Sequence, residues 1–84
     1  MPVLSRFYGI IIKMYFQQSE HNPPHVHVVY SGYAAEFSIR SGRLLDGKMP
    51  QKETALIRSW IRIHKDELLE IWGTQQFKRI TPLK

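Results

Sequence analysis

The residues with chemistry to offer gather in one stretch, Glu20-His21-Asn22-Pro23-Pro24-His25-Val26-His27-Val28, which holds three of the chain's four histidines. Imidazole nitrogens are ligands for zinc-class ions, and they titrate near ~6.5, which suits acid–base work at neutral pH. His25 and His27 are two residues apart, so on a strand both rings project from one face. His21 can bring a third nitrogen from the preceding loop and Glu36 a carboxylate, giving a ligand set for Zn²⁺ or a similar ion. Without metal, one imidazole can act as base and another, protonated, as acid on a phosphodiester. His25, His27 and Glu36 are thus the catalytic candidates, and His21, His25 and His27 the metal candidates.

The elements that hold them follow from turn chemistry. Asn22 and Pro23 each precede a proline and are held extended or in a turn, so the loop carrying His21 has a stiff exit. Two strand-like runs follow, His25 to Tyr30 and Tyr33 to Arg40, separated by Ser31-Gly32, a two-residue hairpin turn. That turn pairs Tyr30 with Tyr33, Val28 with Ala35, Val26 with Phe37, His27 with Glu36 and His25 with Ser38. The apolar pairs take the core face, while both histidines and Glu36 share the other. A slip of one residue would exchange the faces, and the clean polar–apolar separation opposes it. The plainest reading of His27 and Glu36 is a cross-strand pair contributing ~0.2–1 kcal/mol.

Upstream, Phe7 to Phe16 is rich in β-branched and aromatic residues and reads as one strand. Ile10, Ile12, Met14 and Phe16 form its core face, and Ile11, Lys13 and Tyr15 the mixed one. Ser41-Gly42 repeats the turn signal, with Leu44 facing Ile39 and a short strand over Arg43 to Asp46; Gly47 to Pro50 then leads out of the sheet. From Pro50 the period is helical to Trp72, with Ile57, Trp60, Ile61, His64, Leu68, Ile71 and Trp72 in one stripe and Gly73 as the stop. His64 lies in that stripe, so it either bonds a sheet or loop group or reaches the histidine block from beneath. Arg58, Arg62 and Lys65 form a basic edge on the helix. The tail from Gln75 carries Phe77, Ile80 and Leu83 and packs back.

The expected architecture is α+β: one domain over 1–84, a three- or four-stranded antiparallel meander packed against one long C-terminal helix. The chain has 84 residues, no cysteine and a net charge of +5. The absence of cysteine removes disulfides and thiolate metal sites and fits a cytoplasmic protein. No run reaches the ~18 apolar residues of a membrane span, and Lys13 interrupts the apolar start, so neither a membrane segment nor a signal peptide is expected. The basic balance favours acidic partners such as RNA. Lys13, Tyr15, His21, Asn22, Arg40, Arg58, Arg62 and His64 are the binding candidates. Tyr8, Tyr15 and Phe16 can stack on bases, while Lys13 and Arg40 can hold phosphate.

These features resemble those of the family known as domain of unknown function 4160. The resemblance rests on Phe7-Tyr8-Gly9-Ile10, the block from Glu20 to Val28, Leu44 to Pro50, Trp60 with His64, Leu68 and Trp72, and Ile80-Thr81-Pro82-Leu83. It implies a small cytoplasmic bacterial protein encoded beside a second small protein. It further implies a component of a toxin–antitoxin-like pair that acts by binding that partner or RNA. The family supplies no catalytic assignment, so a histidine-dependent ribonuclease and a metal-binding protein stand as alternatives.

Overall fold

The hairpin around Ser31-Gly32 forms in the expected register. In the computed structural model, which describes residues 2–15 and 23–84, β3 (His25–Tyr30) pairs antiparallel with β4 (Tyr33–Ser38). His25 faces Ser38, His27 faces Glu36 and Tyr30 faces Tyr33. Ser31 and Gly32 have φ of 44° and 88°, the positive values a type I′ turn demands at both central positions.

Among the described residues the sheet has five strands, one more than the upper expectation. They lie in chain order: β1 (Val3–Phe7), β2 (Ile10–Lys13), β3, β4 and β5 (Leu44–Gly47). The extra strand, β1, lies almost wholly upstream of the expected run from Phe7, which is interrupted at Tyr8-Gly9, where φ is 51° and 80°. This is a second tight turn with Phe7 paired to Ile10. Tyrosine is a poor turn residue and a left-handed backbone is unusual for so bulky a side chain, so composition reads through it as strand.

Beyond β4 the register also departs from expectation. Leu44 pairs with Phe37, not Ile39, and the ladder shifts between Glu36 and Phe37 so that Asp46 sits beside Glu36 and Gly47 beside Ala35. The connection is longer than two residues because Ser38 organises it. Its carbonyl accepts Gly42 N–H at 2.8 Å and its N–H donates to Arg43 O at 2.9 Å. Its hydroxyl accepts Ser41 N–H at 3.2 Å. Gly47 ends β5 as a paired residue instead of breaking the sheet before it.

One sheet face packs under two helices, α1 (Gln51–Ile63) and α2 (Lys65–Thr74), where a single long helix was expected. His64 divides them with φ −108° and ψ 20°. The bonds on either side survive, His64 N–H to Trp60 O at 3.1 Å and Leu68 N–H to His64 O at 2.9 Å, so the hydrophobic stripe continues across the junction. Ile57, Trp60, Ile61, Leu68 and Ile71 are all buried, against Ile10, Ile12, Met14, Val26, Val28 and Phe37 from the sheet. The helical stop is Gln75, in the left-handed conformation with its N–H on Ile71 O, two residues beyond the glycine expected to end it.

The tail packs back, as its apolar spacing requires. Ile80 is buried and its N–H donates to Leu4 O at 2.7 Å, which covers part of the outer edge of β1. Trp60 is fully buried against Phe7 and donates its indole N–H to Thr81 O at 2.9 Å. One side chain thereby joins helix, sheet and tail.

Candidate functional site

The face of the sheet opposite the core carries a row of polar residues across four strands. Lys13 on β2 pairs with His27 on β3, His27 with Glu36 on β4, and Glu36 with Asp46 on β5. Strand alternation places all four on one face, and His25 joins them two residues away. Hairpin pairing in the sequence gathers His25, His27 and Glu36, while alternation puts Lys13 only on the mixed face of its own strand. Asp46 has no such signal, because the shift beside Glu36 has no sequence signature.

Within this row His25 and Glu36 form the ion pair. His25 Nε2 lies 3.6 Å from Glu36 Oε1, a diagonal contact; the expected partner directly across from Glu36 is His27. The other nitrogen, His25 Nδ1, lies 2.9 Å from Pro23 O. A carbonyl only accepts, so Nδ1 carries the proton. Nε2 then meets the carboxylate either as imidazolium N–H or as a bare lone pair, and the latter arrangement calls for a cation between them. The double proline thus has a specific use: it presents the carbonyl that fixes this ring.

His27 is held by rings. Tyr15 stacks on it with centroids 3.9 Å apart and planes 29° apart, and His25 meets it edge-on at 5.1 Å. Burial lowers its pKa, and the neighbouring charges of His25 and Lys13 add to that; Glu36 pulls the other way without prevailing. Glu36 does favour the charged form of His27, but burial outweighs it.

Trp72 was assigned to the helix stripe with no role at the site, yet its ring lies 5.1 Å from that of His25. The end of α2 thus backs the histidine block. His64 does not take that part. Its Nδ1 is 3.1 Å from Glu67 Oε1 and its ring packs on Trp60 at 5.1 Å, so it serves the junction of the helices. Arg40 is displaced too: β4 ends at Ser38, which leaves Arg40 in the following turn instead of on the strand's polar face. There it lines a hollow with Arg58 and Arg62. The candidates His21 and Asn22, with Phe16, lie outside the described residues.

Three ligand atoms, one each from His25, His27 and Glu36, lie within 4.8 Å of one another. A zinc-class ion would find two imidazoles and a carboxylate here, with the outer hydrogen bond to Pro23 already made. Beside them a second hollow of about 150 Å³ is lined by Tyr15, His27, Glu36 and Asp46.

The protein is thus an α+β domain whose antiparallel sheet is packed by helices on one face and carries a histidine–carboxylate site on the other. Residues 9–73 match the model of the family described as Domain of unknown function (DUF4160), and the chain belongs to that family. No curated protein and no solved structure matches it. Among the described residues no helix is long and apolar enough to cross a membrane.

Proposed function

We propose that this protein is a cytoplasmic member of a toxin–antitoxin-like gene pair and acts by binding RNA on the open face of its sheet. The observation that supports this most is the Tyr15–His27 stack. An exposed tyrosine stacks on the His27 imidazole with centroids 3.9 Å apart, and Lys13 is paired beside it. Stacked aromatic rings beside a cation suit an unpaired base and its phosphate. A labelled single-stranded RNA oligonucleotide in an anisotropy titration tests it. A Tyr15→Ala, His27→Ala variant should bind at least ~10-fold more weakly, two base-stacking platforms being worth ~1–3 kcal/mol each. Unchanged affinity rejects the reading, and a stable complex with the neighbouring gene's product without RNA affinity replaces it with a protein-docking role.

A second reading, chemistry on the RNA, draws support from the convergence of His25, His27 and Glu36. His27, with its pKa lowered, would accept a proton, and His25, beside Glu36, would donate one. A divalent ion such as Zn²⁺ on the same three residues is the metal-dependent form of this reading. Cleavage that survives His25→Ala, His27→Ala substitution removes both forms. Untagged protein carrying less than ~0.1 equivalent of metal after zinc loading and desalting removes the second.

A further inference from the structure

We infer that the hollow between the β4–β5 turn and the helices is a phosphoryl-binding site, held by Arg40, Arg58, Arg62 and Lys65. These four cations line a space of about 160 Å³ that has no carboxylate in its wall. One water needs ~10–15 Å³ of such space, so there is room for a tetrahedral oxyanion. The inference goes beyond RNA binding on the sheet face, since the site is separate from the histidines.

The floor is apolar. Ile39 and Ile61 are each 1% exposed, and both line the hollow. The turn above them is internally bonded: Ser41 and Gly42 N–H go to Ser38, and Arg43 N–H to Ser41 Oγ. With these N–H groups engaged, an anion would be gripped by side chains. Gly42 brings one of them close. A Cβ built there would lie 3.7 Å from Arg58 Nε, so the Arg58 side chain lies along the turn.

None of the four cations forms an ion pair among the described residues, where the pairs are His25–Glu36, His64–Glu67 and Lys78–Glu67. The Arg62–Asp66 spacing on the helix yields none either. Three guanidinium groups and an ammonium gathered without a counter-charge repel one another, and each guanidinium offers the planar fork that matches phosphate oxygens. An oxyanion relieves the repulsion and uses the forks. The ligand class is therefore a phosphoryl group, either a terminal phosphate or a backbone phosphodiester.

Calorimetric titration of the full chain with inorganic phosphate, with sodium chloride at matched ionic strength as reference, tests the site directly. Wild type should bind, and an Arg58→Gln, Arg62→Gln double variant should lose at least ~10-fold, because its charge-assisted hydrogen bonds are gone. Arg79→Gln, with the same kind of charge lost outside the hollow, should bind as wild type does. No phosphate binding, or binding unchanged in the double variant, overturns the inference. Equal loss in Arg79→Gln also overturns it, since net charge would then explain the effect. Competition by phosphate against 5′-phosphorylated and 5′-hydroxyl RNA separates the sources: preference for the former assigns a terminal phosphate, equal competition a backbone one. Phosphate binding with no RNA affinity keeps this site while rejecting RNA recognition by the sheet.

Discussion

His25 Nε2 meets Glu36 Oε1 at 3.6 Å although His25 faces Ser38 and Glu36 faces His27 in the ladder. The carboxylate thus reaches along the diagonal, while the ring directly opposite it stacks with Tyr15. This has an energetic consequence. The side chains are 10% and 32% exposed, and a diagonal pair open to water on the carboxylate side is weak. A His25→Ala, Glu36→Ala double-mutant cycle read by urea denaturation should give a coupling of roughly 0.2–1 kcal/mol. A coupling above ~2 kcal/mol would belong to a buried, desolvated pair and contradict this geometry.

The lowered pKa of His27 contributes to the acid limb of stability. Its folded value lies below the ~6.5 of the unfolded chain, mainly through burial. Between those two values the unfolded state binds more protons, so stability rises with pH across that window. Read downward, it is lost as pH falls from about 6.5 toward the folded value and levels off below it. His27→Gln should remove this part of the slope when melting temperature is followed from neutral to acid pH. Tyr15→Ala uncovers the ring and should move its titration back toward ~6.5 in an NMR pH series. A ring titration unmoved in Tyr15→Ala would deny that the stack supplies the burial.

Much of this site was readable before any coordinates, and the reason is local. Ser31-Gly32 fixes a register from which His25, His27 and Glu36 follow by counting, and the sheet keeps it. The parts that were not readable depend on contacts distant in sequence or on unusual backbone. Tyr8 in a positive-φ turn hides a strand boundary. The break at His64 has no proline or glycine to announce it. Trp72 reaches His25 only once the sheet and α2 are packed, and Asp46 reaches the row only through a ladder shift. Arg40 and Arg58 are eighteen positions apart in the chain, and only tertiary structure brings them to one hollow.

Tyr30, at the end of β3, is tied to the first turn of α1. Its hydroxyl hydrogen-bonds the Glu53 carboxylate, and that bond, with the adjacent negative charge, raises its pKa above the usual ~10. The stabilisation is present below the unfolded value and is lost as pH rises past it, because deprotonation removes the donor. Ultraviolet titration of the folded protein should show one tyrosine ionising later than the others, and Glu53→Gln should bring it forward. If the late-ionising tyrosine persists in Glu53→Gln, the hairpin end and the helix are not linked this way.

Gly47 should be the glycine least tolerant of change. It has φ of 85° and pairs with Ala35 at the end of β5. A Cβ there would run into the Ala34 carbonyl oxygen and lie 2.8 Å from Ala35 Cα. Both neighbours are backbone in the middle of the hairpin that carries Glu36, so neither can rotate aside. Strain at positive φ costs ~1 kcal/mol or more by itself, and the overlap adds to it. Gly47→Ala should therefore lower unfolding free energy by at least ~2 kcal/mol in urea. Gly32→Ala separates the two causes. It has a similar φ of 88° but nothing within 4 Å of the added carbon, so its loss should be the backbone part alone, ~1 kcal/mol. Equal losses at the two positions would mean that the close approach of β5 to β4 is not what requires glycine at Gly47.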